Sequence, residues 1–89
     1  MKQRYLEITF RKGKPFAAYV YLSRRVGVKS TRTVEAALGV LVDYAASGEP
    51  IGLEITAPTH VTAAQVNGVL EMLGLDAMAP EELVPLHAA

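Results

Sequence analysis

Two carboxylates are spaced so that they can act on one proton or one cation. Asp43 and Glu54 lie in consecutive strand-like segments that are joined by a short turn. If these segments form a hairpin, Asp43 lies opposite Gly52 and diagonal to Glu54 on one face. Two close carboxylates can share a proton or bind a hard cation such as Ca²⁺ or Mg²⁺. No further oxygen ligands are specified, so the simpler interpretation is a pair of solvated acids that contact Lys29 or Arg32 of a neighbour.

Three tyrosines form a second group of candidate functional residues. Tyr5 and Tyr21 are expected to be cross-strand neighbours in an N-terminal hairpin, with Tyr19 one step along the same face. Such rings can pack against another protomer, pack within the chain, or stack on nucleic-acid bases. Gly52 bears on how these tyrosine rings pack. A glycine inside a strand often marks a close approach, which Tyr19 or Tyr21 can supply by packing over it.

The positive charges are confined to one part of the chain. All nine Lys and Arg residues lie between Lys2 and Arg32, where Glu7 is the only acid, so this segment carries a formal charge of +8. Residues 33–89 carry −8. This asymmetry is typical of chains that bind nucleic acid or a charged partner, although the two halves can also neutralise each other within or between copies. The candidate contacts to nucleic acid or an acidic partner are Arg11, Lys12, Lys14, Arg24, Arg25, Lys29 and Arg32.

Other groups with catalytic potential are sparse. The chain has no cysteine, which excludes a disulfide framework, a thiolate metal site and a cysteine nucleophile. His60 and His87 are far apart in sequence, and no serine lies in the Gly-x-Ser-x-Gly motif of a nucleophile elbow. We therefore predict a protein that is not an enzyme, with no catalytic residues, no cofactor and no bound metal.

An N-terminal hairpin is the first element predicted to position these groups. Residues 5–10 alternate apolar and polar side chains, and residues 16–22 form a second apolar and aromatic segment. Gly and Pro within residues 11–15 predict the turn between them. Pairing Phe10 with Phe16 collects the aliphatic side chains on one face of the hairpin and the three tyrosines on the other.

Three further strands are predicted in the middle of the chain. Residues 27–35 alternate weakly and carry Lys and Arg, which is typical of an exposed edge strand. Residues 38–44 and 51–56 alternate more strongly, and the short segment 45–49 joins them. They therefore predict a second hairpin.

The C-terminal part is predicted to be helical. Thr62 and Gln65 have the spacing of a capping box, and apolar residues recur over 66–73 at helical spacing. Gly74 is placed to end this helix. Residues 80–82, Pro-Glu-Glu, favour the start of one further turn because proline and acids suit a helix N-terminus.

Together these elements predict an α+β fold. We expect an antiparallel sheet of about five short strands, made of two hairpins plus an edge strand, and a C-terminal helix that packs on one face. A length of 89 residues and a hydrophobic content of 51% fit one globular domain. This single domain covers residues 1–89, with a β-rich part over 1–57 and a helical part over 58–89.

Residues 16–57 contain a familiar pattern. It consists of Tyr-Val-Tyr-Leu at 19–22, Gly-Val-Leu-Val-Asp-Tyr at 39–44, Gly48, and Ile-Gly-Leu-Glu-Ile at 51–55. This pattern resembles the small prokaryotic proteins of the domain of unknown function 2283 family, whose activity is not established. Some members of that family look like the antitoxin halves of toxin–antitoxin gene pairs. The resemblance therefore implies a toxin as partner and DNA as a further ligand.

The sequence favours one functional class and leaves an alternative. The apolar stretch 36–42 is far shorter than the roughly 20 residues that span a bilayer, and the first residues lack the apolar run of a secretory signal. We therefore expect a cytoplasmic protein that does not contact membranes. We expect it to be a homo-oligomeric partner-binding or regulatory module, with a protein partner such as a toxin. The alternative is a regulatory nucleic-acid-binding protein that uses the basic N-terminal hairpin.

Overall fold

The sheet is antiparallel throughout and open at both edges. The computed structural model describes residues 5–22 and 29–87. Within those residues the strands are β1 (Tyr5–Arg11), β2 (Lys14–Tyr21), β3 (Arg32–Ala37), β4 (Val40–Tyr44) and β5 (Pro50–Ile55). Their order across the sheet is β1-β2-β5-β4-β3, so β1 and β3 are the edge strands. The predicted α+β class with five short antiparallel strands is confirmed.

The helical elements follow the last strand. A 3₁₀ turn at Pro58–His60 leads into α1 (Ala63–Met72), and α2 (Pro80–Leu83) continues into a second 3₁₀ turn at Val84–His87. In the described part of the chain, neither α1 nor α2 is long and apolar enough to cross a membrane.

The first hairpin closes with a tighter turn than the sequence predicts. Lys12 and Gly13 both have positive φ, 53° and 78°, and Arg11 pairs with Lys14. Two consecutive residues of this kind match the right-handed twist of the flanking strands. The turn therefore needs only two residues, and β2 begins before the proline.

The register of this hairpin differs from the prediction only near its tip. Ile8 pairs with Ala18 as predicted, and the predicted pairing continues from there to the open end of the hairpin. The predicted pairing of Phe10 with Phe16 is wrong, because a bulge after Thr9 places Phe10 opposite Pro15. The two-residue turn fixes this offset, and a bulge absorbs the extra residue.

The third and fourth strands begin later than predicted. The edge strand predicted over 27–35 corresponds to β3, which starts at Arg32 and runs to Ala37, and positions 27 and 28 of the prediction lie outside the described residues. Leu38 is 87% exposed and lies in the turn before β4, where Gly39 has a φ of 81°. The strand prediction included Leu38 because it is apolar. The conformation of Gly39 is what converts this position into a turn.

The ends of α1 follow the sequence signals closely. Gln65 N–H donates to the Thr62 hydroxyl at 3.1 Å, and Thr62 N–H donates to the Gln65 side chain at 2.8 Å. Gly74 has a φ of 75°, and the backbone N–H of Leu75 donates to the carbonyl of Leu70. These contacts form the capping box and the glycine-terminated end that the sequence predicts.

One hydrophobic core joins the sheet to the helical part. Its buried sheet residues are Ala18, Val20, Val40, Val42, Leu53 and Ile55, and its buried residues after the sheet are Val61, Val66, Val69, Leu70, Met78, Leu83 and Leu86. Fully burying a large aliphatic side chain contributes roughly 1.5–3 kcal/mol. Because these side chains gather on one side of the sheet, the described helical elements cover that face, and the opposite face is left for other contacts.

Candidate interaction surface on the outer sheet face

We call the face of the sheet opposite α1 the outer face. Strand pairing arranges its residues in two rows that cross all five strands. One row consists of Glu35, Leu41, Glu54, Tyr19 and Glu7. The next row consists of Thr33, Asp43, Gly52, Tyr21 and Tyr5. The outer face therefore brings together all three candidate tyrosines and both candidate carboxylates.

Tyr19 reaches over β5 to the neighbouring strand. A Cβ atom at Gly52 would overlap the Tyr19 phenol ring, so the ring occupies the space that a side chain would need. The Tyr19 hydroxyl donates a hydrogen bond of 2.8 Å to Asp43 Oδ2. The close approach predicted over Gly52 is confirmed, and Tyr19 is the residue that makes it.

Asp43 is a buried carboxylate with specific partners. Its side chain is only 4% exposed, and Thr33 Oγ1 donates to its Oδ1 at 2.6 Å, opposite the Tyr19 bond. The interpretation of Asp43 as a solvated acid that contacts Lys29 or Arg32 is therefore wrong. Gly52 is the physical reason, because its missing side chain lets the tyrosine ring cover the carboxylate.

Glu54 completes a carboxyl pair with Asp43. A side-chain hydrogen bond with Asp43 raises the pKa of Glu54, and partial burial and the negative charge of Asp43 raise this pKa further. Two hydrogen-bonded carboxyl groups hold one proton between them more tightly than a lone group does. The described residues include no group of three or more His, Cys, Asp and Glu side chains arranged to hold a metal. Beside Asp43, Glu54 therefore holds its proton more tightly than an isolated glutamate does.

The tyrosines form a continuous aromatic ladder. The rings of Tyr5 and Tyr21 stack with centroids 4.6 Å apart, and Tyr19 meets Tyr21 edge-on at 4.7 Å. The Tyr21 hydroxyl donates to Glu7 Oε1 at 2.8 Å, and this bond raises the pKa of Tyr21. Burial, followed by the bond to Asp43, raises the pKa of Tyr19. Both phenols therefore remain protonated donors at neutral pH, and the predicted contact of Tyr5 with Tyr21 is confirmed.

The charged side chains of the two outer-face rows are all acidic. Five of the seven predicted cations lie elsewhere in the described structure. The Arg11 guanidinium lies 4.2 Å from the centre of the Phe16 ring, and that of Arg32 lies 4.5 Å from the centre of the Tyr44 ring. Lys12, Lys14 and Lys29 are exposed, whereas Arg24 and Arg25 fall outside the described residues.

A shallow groove of about 200 Å³ lies beside Tyr19 on the outer face. Two carboxylates line it, Glu7 from β1 and Glu54 from β5, and Tyr19 lies between them in the same row. Thr9 and Thr56 also line the groove. A concave surface with two carboxylates and an aromatic ring attracts positively charged groups.

The tip of the first hairpin extends past the rest of the sheet. β2 pairs with β5 only from Ala18 to Tyr21, so within the described ranges residues 9–17 have no strand partner outside their own hairpin. We call residues 9–17 the arm. Phe10 and Phe16 on the arm are 55% and 49% exposed. The three cations of the arm are Arg11, Lys12 and Lys14.

Sequence reasoning misses the contact of Thr33, which the sequence indicates only as part of a weak strand. Glu7 is expected on the tyrosine face of the hairpin, but its hydrogen bond with Tyr21 is not predicted. Glu7 lies opposite Tyr19, so the predicted hairpin register contained a usable signal. Thr33 lies opposite Asp43 through a bulged edge pairing that the sequence did not predict.

The chain matches no protein-family model, no curated protein and no solved structure. The resemblance to the domain of unknown function 2283 family therefore stays a prediction.

Proposed function

We propose that this protein is a small non-enzymatic binding module that acts as a homo-oligomer, and that the outer face is its binding surface. The observation that carries this proposal is the ordered ladder of Tyr5, Tyr21 and Tyr19 on the face opposite the core helices. Tyrosine is enriched where proteins meet because it combines apolar area with a polar end. Fixed rings also lose little conformational entropy when a partner binds.

The acids of this surface favour a protein partner over nucleic acid. Glu7, Glu35 and Glu54 lie in the same row as Tyr19. Phosphates would meet carboxylates on this face, and like charges across an interface oppose binding. A partner that presents Lys or Arg would find complementary charge there.

The family resemblance supports a more specific proposal. The pattern within residues 16–57 supports an antitoxin-like regulatory role with a toxin as protein partner. A gene for a toxin-like protein beside this gene would strengthen it. We also propose a cytoplasmic location, with which a chain without cysteine is compatible.

The homo-oligomer is tested by light scattering on a sizing column at about 50 mM and about 500 mM salt, which bracket weak and strong screening of charge. We expect a mass of two copies or more at low salt. If charge complementarity contributes to assembly, the mass should fall at high salt. A mass of 9.6 kDa, one copy, at both salts would overturn the proposed homo-oligomer.

The arm favours a second candidate function, nucleic-acid binding. It projects as a two-stranded ribbon with Arg11, Lys12 and Lys14, and such ribbons can enter a nucleic-acid groove. Fluorescence anisotropy with labelled DNA and RNA tests this candidate, because phosphate contacts weaken steeply with salt. Binding that the double substitution Lys12→Glu/Lys14→Glu abolishes and Lys29→Glu largely retains would support it. No binding at about 50 mM salt would exclude it.

A further inference from the structure

We propose that the arm of one copy docks on the outer face of a second copy, where its cations enter the groove between Glu7 and Glu54. This inference rests on the proposed homo-oligomer and names the surfaces that form it. The outer face is then occupied by the basic hairpin tip of another copy.

Charge complementarity is the first argument. Arg11, Lys12 and Lys14 lie within one four-residue stretch of the arm that contains no acid. In the groove, Glu7 accepts a hydrogen bond from Tyr21, and Glu54 bonds to Asp43. Neither carboxylate forms an ion pair with a cation of the described ranges 5–22 and 29–87. The groove therefore retains its attraction for an incoming cation.

The exposed aromatic side chains of the arm are the second argument. Phe10 and Phe16 are about half exposed, although they are large apolar residues on a two-stranded ribbon. A two-stranded hairpin without further packing is marginally stable in water. Docking on the outer face would place these rings against the tyrosine ladder and remove apolar surface from water. The Arg11 guanidinium already lies over the Phe16 ring, so this cation is positioned before the arm docks.

The turn of the arm lies away from the groove of its own chain. Thr9 and Ala17, at the base of the arm, line the groove, and the turn at Lys12 and Gly13 lies several residues further out. At about 3.3 Å per residue, the turn extends roughly 10 Å away from this groove. Lys12 and Lys14 are therefore better placed to meet such a groove on another copy than on their own chain.

A face-to-face dimer is the main competing arrangement for two copies. It would bring the tyrosine ladders together, but it would also bring the acidic rows together, with Glu7, Glu35 and Glu54 of each copy. Like charges that approach across an interface are unfavourable. The contact between arm and outer face instead pairs opposite charges and still covers the aromatic rings.

The test uses charge reversal on each side of the contact. The arm variant is Lys12→Glu/Lys14→Glu, and the face variant is Glu7→Lys. The controls reverse one charge at an exposed position outside the arm and the two outer-face rows, with Lys29→Glu for the arm and Glu71→Lys on α1 for the face. Glu7→Gln keeps an acceptor for Tyr21 and removes only the charge. Circular dichroism and thermal unfolding establish that each variant is folded.

Light scattering at about 50 mM salt provides the readout. We expect both reversal variants to be monomeric, both controls to keep the wild-type mass, and Glu7→Gln to raise the dissociation constant about tenfold. An equimolar mixture of the arm variant and the face variant should regain an oligomeric mass, because the basic arms of the face variant meet the acidic grooves of the arm variant. That recovery would also show that each variant has kept its other surface intact.

The outcomes separate this inference from the proposed function. An oligomeric wild type with unchanged mass in both reversal variants would overturn arm docking and leave the homo-oligomer standing. A monomeric wild type at every salt would overturn both. An arm variant that keeps its oligomeric mass but loses nucleic-acid binding would overturn arm docking in favour of the second candidate function.

Discussion

The two faces of the sheet are ordered by different forces. On the core face, Val20, Val40 and Leu53 are fully buried and pack against the helical part. On the outer face, the buried Asp43 is held by hydrogen bonds from Tyr19 and Thr33. The core face depends on apolar area, which many side-chain combinations can supply. The outer face depends on particular donors, acceptors and one missing side chain.

This difference indicates that the residues of the outer face serve more than folding. A solvated sheet face needs only polar residues, and solvent can satisfy their hydrogen bonds. The outer face instead encloses a carboxylate and stacks three tyrosines beside it. Buried polar groups that lose one partner are costly. A role in presenting a fixed surface to a partner would explain why the outer face keeps this arrangement despite that cost.

The largest expected effect comes from Gly52→Ala. The new methyl group would overlap the Tyr19 ring, so the ring must leave Asp43. Overpacking and an unsatisfied acceptor each cost about 1–3 kcal/mol. We expect the free energy of unfolding, measured with urea, to fall by at least about 2 kcal/mol.

Gly68→Ala is the matched control for that substitution. Gly68 lies inside α1, and nothing lies within 4 Å of the position of its Cβ. Because glycine weakens a helix interior, this change should raise stability by roughly 0.5–1 kcal/mol. Equal effects of the two substitutions would contradict the contrast between the faces.

Tyr19→Phe tests the buried hydrogen bond by itself. It keeps the ring over Gly52 but removes the donor to Asp43 Oδ2. We expect a loss of about 1–3 kcal/mol, because a buried acceptor is left without that partner. Tyr21→Phe removes an exposed bond to Glu7 and should cost clearly less. Indistinguishable urea midpoints for the two variants would show that the buried bond from Tyr19 to Asp43 adds no more to stability than the exposed bond from Tyr21 to Glu7.

Glu54→Gln has the smallest expected effect and a distinctive dependence on pH. The folded protein raises the pKa of Glu54, so the proton stabilises the folded state below the unfolded value of 4.5, and that stability is lost as the pH rises through the raised pKa. Glutamine is neutral throughout. At neutral pH we expect the variant to be more stable than the wild type by about 0.2–1 kcal/mol, the range for close charge pairs on a sheet.

Urea unfolding of both proteins from pH 3 to pH 8 checks this prediction. The advantage of the glutamine variant should shrink as the pH falls and Glu54 gains its proton. An advantage that is the same at every pH would refute the raised pKa of Glu54.

Local signals were sufficient for most of the fold. The capping pair Thr62 and Gln65 and the glycine at position 74 fixed α1 because each acts on backbone groups within one turn. The end of β3 and the start of β4 differ from the prediction because Gly39, and not hydrophobic periodicity, decides where the turn between them lies.

The outer face was harder to predict from the sequence. The cross-strand pair of Tyr5 and Tyr21 follows from one hairpin, and so the sequence alone predicts it. The burial of Asp43 was not, because it requires β2, β5, β4 and β3 to lie side by side in that order. Such long-range pairing has no local signature, and neither does the projection of the arm beyond β5.

The most direct test of the central claim is whether the tyrosine ladder is buried between copies in solution. Equal amounts of ¹³C-labelled and unlabelled protein are mixed, and isotope-filtered nuclear Overhauser effects are recorded. With four tyrosines and two phenylalanines, the aromatic spectrum is simple to assign. We predict intermolecular contacts from the Tyr5 and Tyr21 ring protons to residues 9–17 of the other copy. An oligomer whose tyrosine rings show contacts only within their own chain would contradict the docking of the arm on the outer face.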